Sequence, residues 1–215
     1  MGRRALRKID PSLVLTSHLR SLDELPCPWD AAVVFGRRAP LEIEVGSGKG
    51  LFLSSAAAAR PDHDFLGTEV ARKYALHAAA RLKRRSLANA RLVHCDALRL
   101  FHERLPDASV LTIHVYFPDP WWKARHKKRR VMNAPFLRDV QRTLMGGGTL
   151  HFWTDVQEYF ESTLELIGKT VQLEGPFAVA ERPAEHELDY RTHFERRTRL
   201  SGLPVFRAEF RKIAD

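Results

Sequence analysis

The sequence predicts an α/β protein with a doubly wound, mostly parallel sheet of seven strands, and three observations predict it. β-Branched and aromatic runs alternate with helix-like runs from Leu41 to about Gly168, the order that strand–helix–strand crossovers produce. The first such run ends in a glycine-rich turn, Gly46-Ser47-Gly48-Lys49-Gly50, which opens onto the apolar Leu51-Phe52-Leu53. Acidic residues then recur at or near the run ends, at Glu44, Glu69, Asp96 and Asp119, where open α/β sheets place their ligands.

Taken in order, strands are expected at residues 41–45, 64–69, 91–95, 110–117 and 149–154, with helices filling most of the intervals. Asn133 reads as a helix N-cap with Pro135 in the first turn, and Gly146-Gly147-Gly148 reads as a helix stop and turn into the fifth strand. After Val171 the pattern changes. Two more strands, at 177–180 and 205–212, flank a polar excursion at 181–204, of a length that is often functional. Residues 1–40 read as a basic arm and lead-in carrying Arg3, Arg4, Arg7 and Lys8, and residues 41–215 as a single domain.

Composition narrows the function. A chain of 215 residues with 44% hydrophobic content suits one domain with a full core, and a net charge of +9 implies an acidic partner. Nucleic acid fits better than membrane, because there is no long apolar run and no amphipathic basic helix; charge alone does not separate DNA from RNA. Cys27 and Cys95 stand apart with no CxxC partner, so neither a disulfide framework nor a metal site is expected, and a cytoplasmic location fits. No apolar targeting segment follows the N-terminal arginines.

The glycine-rich turn has the order strand, turn, helix that a nucleotide-type cofactor requires, with Gly46 and Gly48 letting the backbone approach a ligand. Glu69, about twenty residues on, suits a ribose diol, and Asp96 could accept from an adenine amino group. S-Adenosylmethionine fits this set better than a dinucleotide. It is cationic and has no pyrophosphate, so Glu44 beside the turn attracts rather than repels it. The plainer readings are a polar-face strand residue for Glu44 and helix caps for Glu69 and Asp96.

The most specific stretch is Phe117-Pro118-Asp119-Pro120-Trp121-Trp122-Lys123, followed at once by Arg125-His126-Lys127-Lys128-Arg129-Arg130. Each proline fixes its own φ and restricts the residue before it, so an extended Asp119 is expected just beyond a strand, beside dense positive charge suited to phosphates. Trp121 and Trp122 read equally as a base-stacking surface or as aromatics seating the turn. A methyltransferase acting on another RNA or DNA atom, and an RNA-binding module without catalysis, are the alternative functions. Amino-group methylation usually comes with a DPPY turn where this chain has DPWW.

Through FPDPWWKARHKKRR, TDVQEYF at 154–160, THFERR at 192–197, EVGSGKG and GTE, the chain resembles the tRNA (guanine-N7)-methyltransferase family over roughly residues 41–199. The resemblance implies a Rossmann-like class I methyltransferase fold with its last strand antiparallel, S-adenosylmethionine as donor, and methylation of a guanosine in the variable loop of tRNA. It also implies cofactor contacts from Glu44, Glu69, Asp96 and Asp119, a catalytic role for Asp119, and substrate contacts from Lys123, Asp155, Thr192, His193, Phe194 and Glu195. Trp122 stands where the family commonly has proline, and His193 where it commonly has lysine.

Overall fold

The computed structural model describes residues 6, 8–181, 183–184, 186 and 189–214. Arg3, Arg4 and Arg7 of the expected arm lie outside the described residues; Lys8 is exposed. The strands are β1 (Leu19–Ser21), β2 (Leu41–Val45), β3 (Asp64–Thr68), β4 (Ala90–His94), β5 (Val110–Tyr116), β6 (Leu144–Thr154), β7 (Leu173–Ala178) and β8 (Phe206–Lys212). They form one sheet in the order β1-β4-β3-β2-β5-β6-β8-β7. Pairing is parallel from β1 to β6, and β8 runs antiparallel to both β6 and β7, as expected for the last strand.

The sheet has eight strands where seven were expected. The additional one comes from the lead-in, where three residues pair along the edge of β4 through Leu19↔Leu92 to Ser21↔His94. The glycine run also departs from expectation. Helix α5 (Ala134–Thr143) stops before the glycines, and the chain enters β6 at Leu144 directly. The β5–β6 register jumps from Val110↔Leu144 to Thr112↔Thr149, so Gly146 to Gly148 form a bulge inside the strand rather than a turn ahead of it.

The crossover helices are α2 (Leu51–Ala59), α3 (Arg72–Arg84), α4 (Ala97–Glu103), α5 and α6 (Gln157–Thr170); α1 (Ala31–Phe35) precedes β2 and α7 (His193–Leu200) lies in the excursion. Their starts follow local chemistry. Asp30, Asp96, Asn133 and Thr192 each accept a backbone N–H from the first turn of α1, α4, α5 and α7 respectively.

Side chains alternate across the sheet, and its two faces differ. Ile43, Val45, Ile113, Val115, Leu150 and Phe152 join Leu100, Phe101, Phe136, Leu137, Val140 and Tyr159 in one apolar core under α4, α5 and α6. The register puts Glu42, Glu44, Thr112, His114, Tyr116, Thr149, His151 and Trp153 on the opposite face. A second cluster from α2 and α3, including Phe52, Leu53, Ala75, Ala78 and Leu82, reaches Tyr116 and Trp153 there. Gly67 is needed for that packing: a Cβ would collide with Ser47 and come within 2.7 Å of Leu53.

Chain order reverses direction between β2 and β5, which creates the crevice where open α/β sheets bind ligands.

Candidate active site

Every strand from β4 to β6 leads to a carboxylate at its carboxyl end. Across the sheet these are Asp96 after β4, Glu69 after β3, Glu44 near the end of β2, Asp119 after β5 and Asp155 after β6. The sequence expectations thus converge on one rim, with the topological switch inside the row.

On the β2 side, Gly46, Gly48 and Gly50 have φ of 76°, 52° and 69°, a left-handed region costly for other residues. Thr68 holds the turn by accepting the Ser47 N–H at its carbonyl (2.7 Å) and the Gly46 N–H at its hydroxyl (3.3 Å). Glu69 bridges the turn to α3, accepting the Gly48 N–H at Oε2 and the Ala71 N–H at Oε1, both at 2.8 Å. Among the described residues, nothing beyond the adjoining chain lies within 4 Å of where a Cβ on Gly46 or Gly48 would stand, so the turn is open to a ligand.

Glu44 is 3% exposed, and its Oε2 has no hydrogen-bond partner among the described residues. Burial lifts its carboxyl to about 7, and the neighbouring Glu69 charge adds to the rise. A buried acceptor left unpaired beside an open glycine turn fits a ligand that brings a hydrogen-bond donor and positive charge. Asp96 is exposed and accepts the Leu98 N–H at Oδ1 (2.9 Å), so one of its oxygens serves as a helix cap.

The Asp119 turn is strained at both ends. Phe117 and Trp121 have φ of 50° and 45°, so Phe117 escapes the extended conformation that a following proline ordinarily imposes. Such outliers cost roughly 1–3 kcal/mol each and persist only where the surroundings over-determine them. The surroundings here do so. Phe117 N–H donates to the Trp153 carbonyl (2.8 Å), and its ring stacks on Phe194 at 6.3 Å. Trp121 meets His126 edge-on at 5.8 Å and carries the Arg129 guanidinium at 5.2 Å. Asp119 itself is exposed and makes no hydrogen bond or ion pair with any described residue. Trp122 is 65% exposed, whereas Trp121 is half-buried, so only the second tryptophan is presented outward.

The basic strip forms a 3-10 turn, Ala124–Arg129, with Lys123 as its N-cap. Lys123, Arg125, Lys127, Lys128 and Arg129 are exposed, and Lys127 pairs with Glu158 at 3.1 Å. Arg130 is half-buried and turns back towards the Asp119 turn.

Asp155 is exposed, and Thr198 of α7 donates to it at 3.4 Å. The later half of α7 is thus tied to the rim at Asp155, and its start meets the Asp119 turn through Phe194 on Phe117. Thr192 caps α7 by accepting the Glu195 N–H at 3.0 Å, and His193 and Phe194 are exposed. Glu195 is different. It is 3% exposed, accepts the Arg191 N–H at 2.6 Å, and meets Arg199 and Arg207 at 3.4 and 3.3 Å. Its carboxylate is engaged by the protein's own groups and holds α7 to β8.

Sequence reasoning missed Arg191, whose guanidinium lies over Trp153, Phe52 and Tyr116 at 5.0, 5.6 and 5.8 Å. It also missed a buried chain in which His114 Nε2 meets Glu42 at 2.7 Å and His114 Nδ1 meets the Tyr116 hydroxyl at 2.9 Å. The signal for the second was present: Glu42, His114 and Tyr116 fall on one face once the strands are aligned. Among the described residues no cluster of His, Cys, Asp or Glu is placed to hold a metal ion, and no helix is long and apolar enough to cross a membrane.

A family model described as "Putative methyltransferase" matches residues 38–208. A tRNA (guanine-N(7)-)-methyltransferase of Rhodopirellula baltica is 50% identical over 99% of this chain and 80% of its own length. One of Burkholderia cenocepacia is 39% identical over 99% and 80%. Among solved structures, the aminoglycoside resistance methyltransferase NpmB1 superposes with a TM-score of 0.56 at 18% identity, over 83% of this chain and 90% of that one. The tRNA (m1A58) methyltransferase TrmI of Aquifex aeolicus superposes with a TM-score of 0.51 at 16% identity, over 86% and 67%. These two likenesses establish the fold. With glycine turn, carboxylate rim and basic strip in one frame and relatives matched along nearly its whole length, the chain belongs to the tRNA (guanine-N7)-methyltransferase family.

Proposed function

We propose that this rim is where a methyl group passes from S-adenosylmethionine to N7 of a guanosine in tRNA. The observation that carries the reading is the unbroken row of carboxylates on five adjoining strand tips, with the switch point between β2 and β5 dividing it. Glu44, Glu69, Asp96 and the Gly46–Gly48 turn form the donor side; Asp119, Asp155 and the start of α7 form the acceptor side.

The donor supplies an electrophilic methyl on a sulfonium. Guanine N7 already has a lone pair and carries no proton, so attack on that methyl requires no strong base. Positive charge builds on the purine as the methyl moves, and an exposed carboxylate at the rim can hold the guanine N1–H and N2–H while offsetting that charge. Asp119 has the freedom to do this, since no described residue claims it. Alignment of nitrogen, carbon and sulfur can contribute roughly 7–11 kcal/mol at the upper end, which gives the tightly held turn its purpose. Lys123, Arg125, Lys127, Lys128 and Arg129 would contact phosphates beside the rim. Glu195 serves this site indirectly, by fixing α7 through Arg199 and Arg207. A cytoplasmic reaction on tRNA accords with the two unpaired cysteines.

Incubation with methyl-labelled S-adenosylmethionine and total tRNA, followed by nucleoside analysis, tests the reading. Label in 7-methylguanosine is the expected result. Label in another nucleoside, or none with well-folded protein, would overturn it.

A further inference from the structure

The basic strip is not uniform, and its last residue faces the wrong way for RNA. Arg130 donates through Nε to the Pro120 carbonyl at 2.8 Å, within the turn that carries Asp119. Its guanidinium lies 4.4 Å from the centre of the Tyr159 ring, a residue of α6 that is 1% exposed. Its own carbonyl accepts from Asn133 Nδ2 at 2.9 Å, and Asn133 caps α5. One arginine thus ties the Asp119 turn to the first turns of two helices, immediately beside the left-handed Trp121.

We propose that Arg130 is a positioning residue for the methyl transfer, holding the downstream end of the strained turn so that Asp119 keeps its place, rather than a phosphate contact. The proposal rests on the reading of Asp119 given above. Lysine cannot substitute: it lacks the planar guanidinium that both stacks on Tyr159 and directs Nε at the Pro120 carbonyl. A phosphate contact, by contrast, needs only charge, which lysine retains.

The test is Arg130→Lys, read as the single-turnover rate at saturating tRNA and donor together with the salt dependence of tRNA binding. We expect the rate to fall on the order of 10- to 100-fold, as a small misplacement of an aligned site does. The slope of log affinity against log salt should stay unchanged. Tyr159→Leu should lower the rate in the same way, and the double variant should be no slower than the slower single one, because both remove the same support. Thermal unfolding confirms that each variant is folded, and Tyr159→Phe, which keeps the ring, should retain the parent rate. A normal rate for Arg130→Lys, or a slope reduced by roughly 0.7–0.9 in Arg130→Ala with a normal rate in Arg130→Lys, would overturn the proposal and return Arg130 to the RNA surface. Asp119→Ala, assayed alongside, separates the two ideas: if that variant is slow while Arg130→Lys is normal, the role of Asp119 stands and only the role of Arg130 falls.

Discussion

On one face of the sheet Ile43, Ile113, Leu150 and Phe152 meet apolar neighbours and are fully buried; alternating with them along the same strands, Glu42 and Glu44, His114 and His151 are buried or nearly so as well. The same depth is occupied by opposite chemistry. Complete burial of a Leu, Ile or Phe side chain contributes roughly 1.5–3 kcal/mol, so the first face supplies stability. The second offsets part of it. Glu42 survives burial by pairing with Arg60, accepting from His63 at 2.7 Å and accepting from His114 at 2.7 Å. Burial pushes its carboxyl up, but the hydrogen bond from His114, the charge of Arg60 and the hydrogen bond from His63 outweigh this and hold it below the usual range. Burial lowers His114 to about 4, against the pull of Glu42, so the imidazole is neutral near pH 7. The network then assigns its tautomer: Nε2–H donates to Glu42, and Nδ1 accepts from the Tyr116 hydroxyl. Beneath the rim the polar side chains are therefore fixed by directional hydrogen bonds, while the facing layer under α4, α5 and α6 is held by apolar packing.

The largest effect is expected on the apolar face. Phe152→Ala should cost roughly 3–5 kcal/mol in denaturant-induced unfolding, with activity reduced only to the extent that the fold is disrupted. On the polar side, Glu44 sets a pH dependence. Its folded pKa of about 7 lies above the ordinary 4.5, so the folded protein holds a proton that the unfolded chain has released. Stability from this group is fully present below about 4.5 and is lost as pH rises through 7, on the order of 3 kcal/mol in all. Glu44→Gln should therefore unfold at a higher temperature than the parent at pH 8, and lose that advantage near pH 4. Donor affinity, measured by calorimetry, should rise with pH through 7 in the parent and stay flat in Glu44→Gln.

At the rim, Asp119→Ala should lower turnover at saturating donor by about tenfold or more, equivalent to about 1.4 kcal/mol, without moving the unfolding temperature. A matched drop in stability would show that Asp119 supports the fold of the turn instead of the chemistry. The smallest effect is expected on the exposed strip, where Lys127→Ala with Lys128→Ala should reduce the salt slope of tRNA binding by roughly 0.7–0.9 for each phosphate that is no longer neutralised. An unchanged slope would place the RNA elsewhere.

Much of this was legible in the residues. The strands β2 to β6 announce themselves through β-branched runs, and all five rim carboxylates stand at or near run ends. Edge strand β1 was not legible, because three residues are too few for alternation to register and its partner, β4, is about seventy residues away. Gly146-Gly147-Gly148 misled because a glycine bulge and a glycine turn share one composition, and only the partner strand's register separates them. The left-handed Phe117 contradicts a local rule, and its causes are tertiary: the Trp153 carbonyl, Phe194 and the proline turn itself. Glu195 is implied as a substrate contact by the resemblance, and its engagement within the protein was not legible because its arginine partners come from positions 191, 199 and 207, the last at a distance no local pattern covers.

The row of carboxylates beside the cationic turn makes the rim an electrostatic sieve. A polynucleotide held by the lysines and arginines in the way proposed above would be repelled one step further on, where its phosphates would meet Asp119 and Asp155. The part of it that can cross without penalty is a neutral nucleobase turned away from its backbone, so the field itself favours presentation of the base before any side chain reads which base it is.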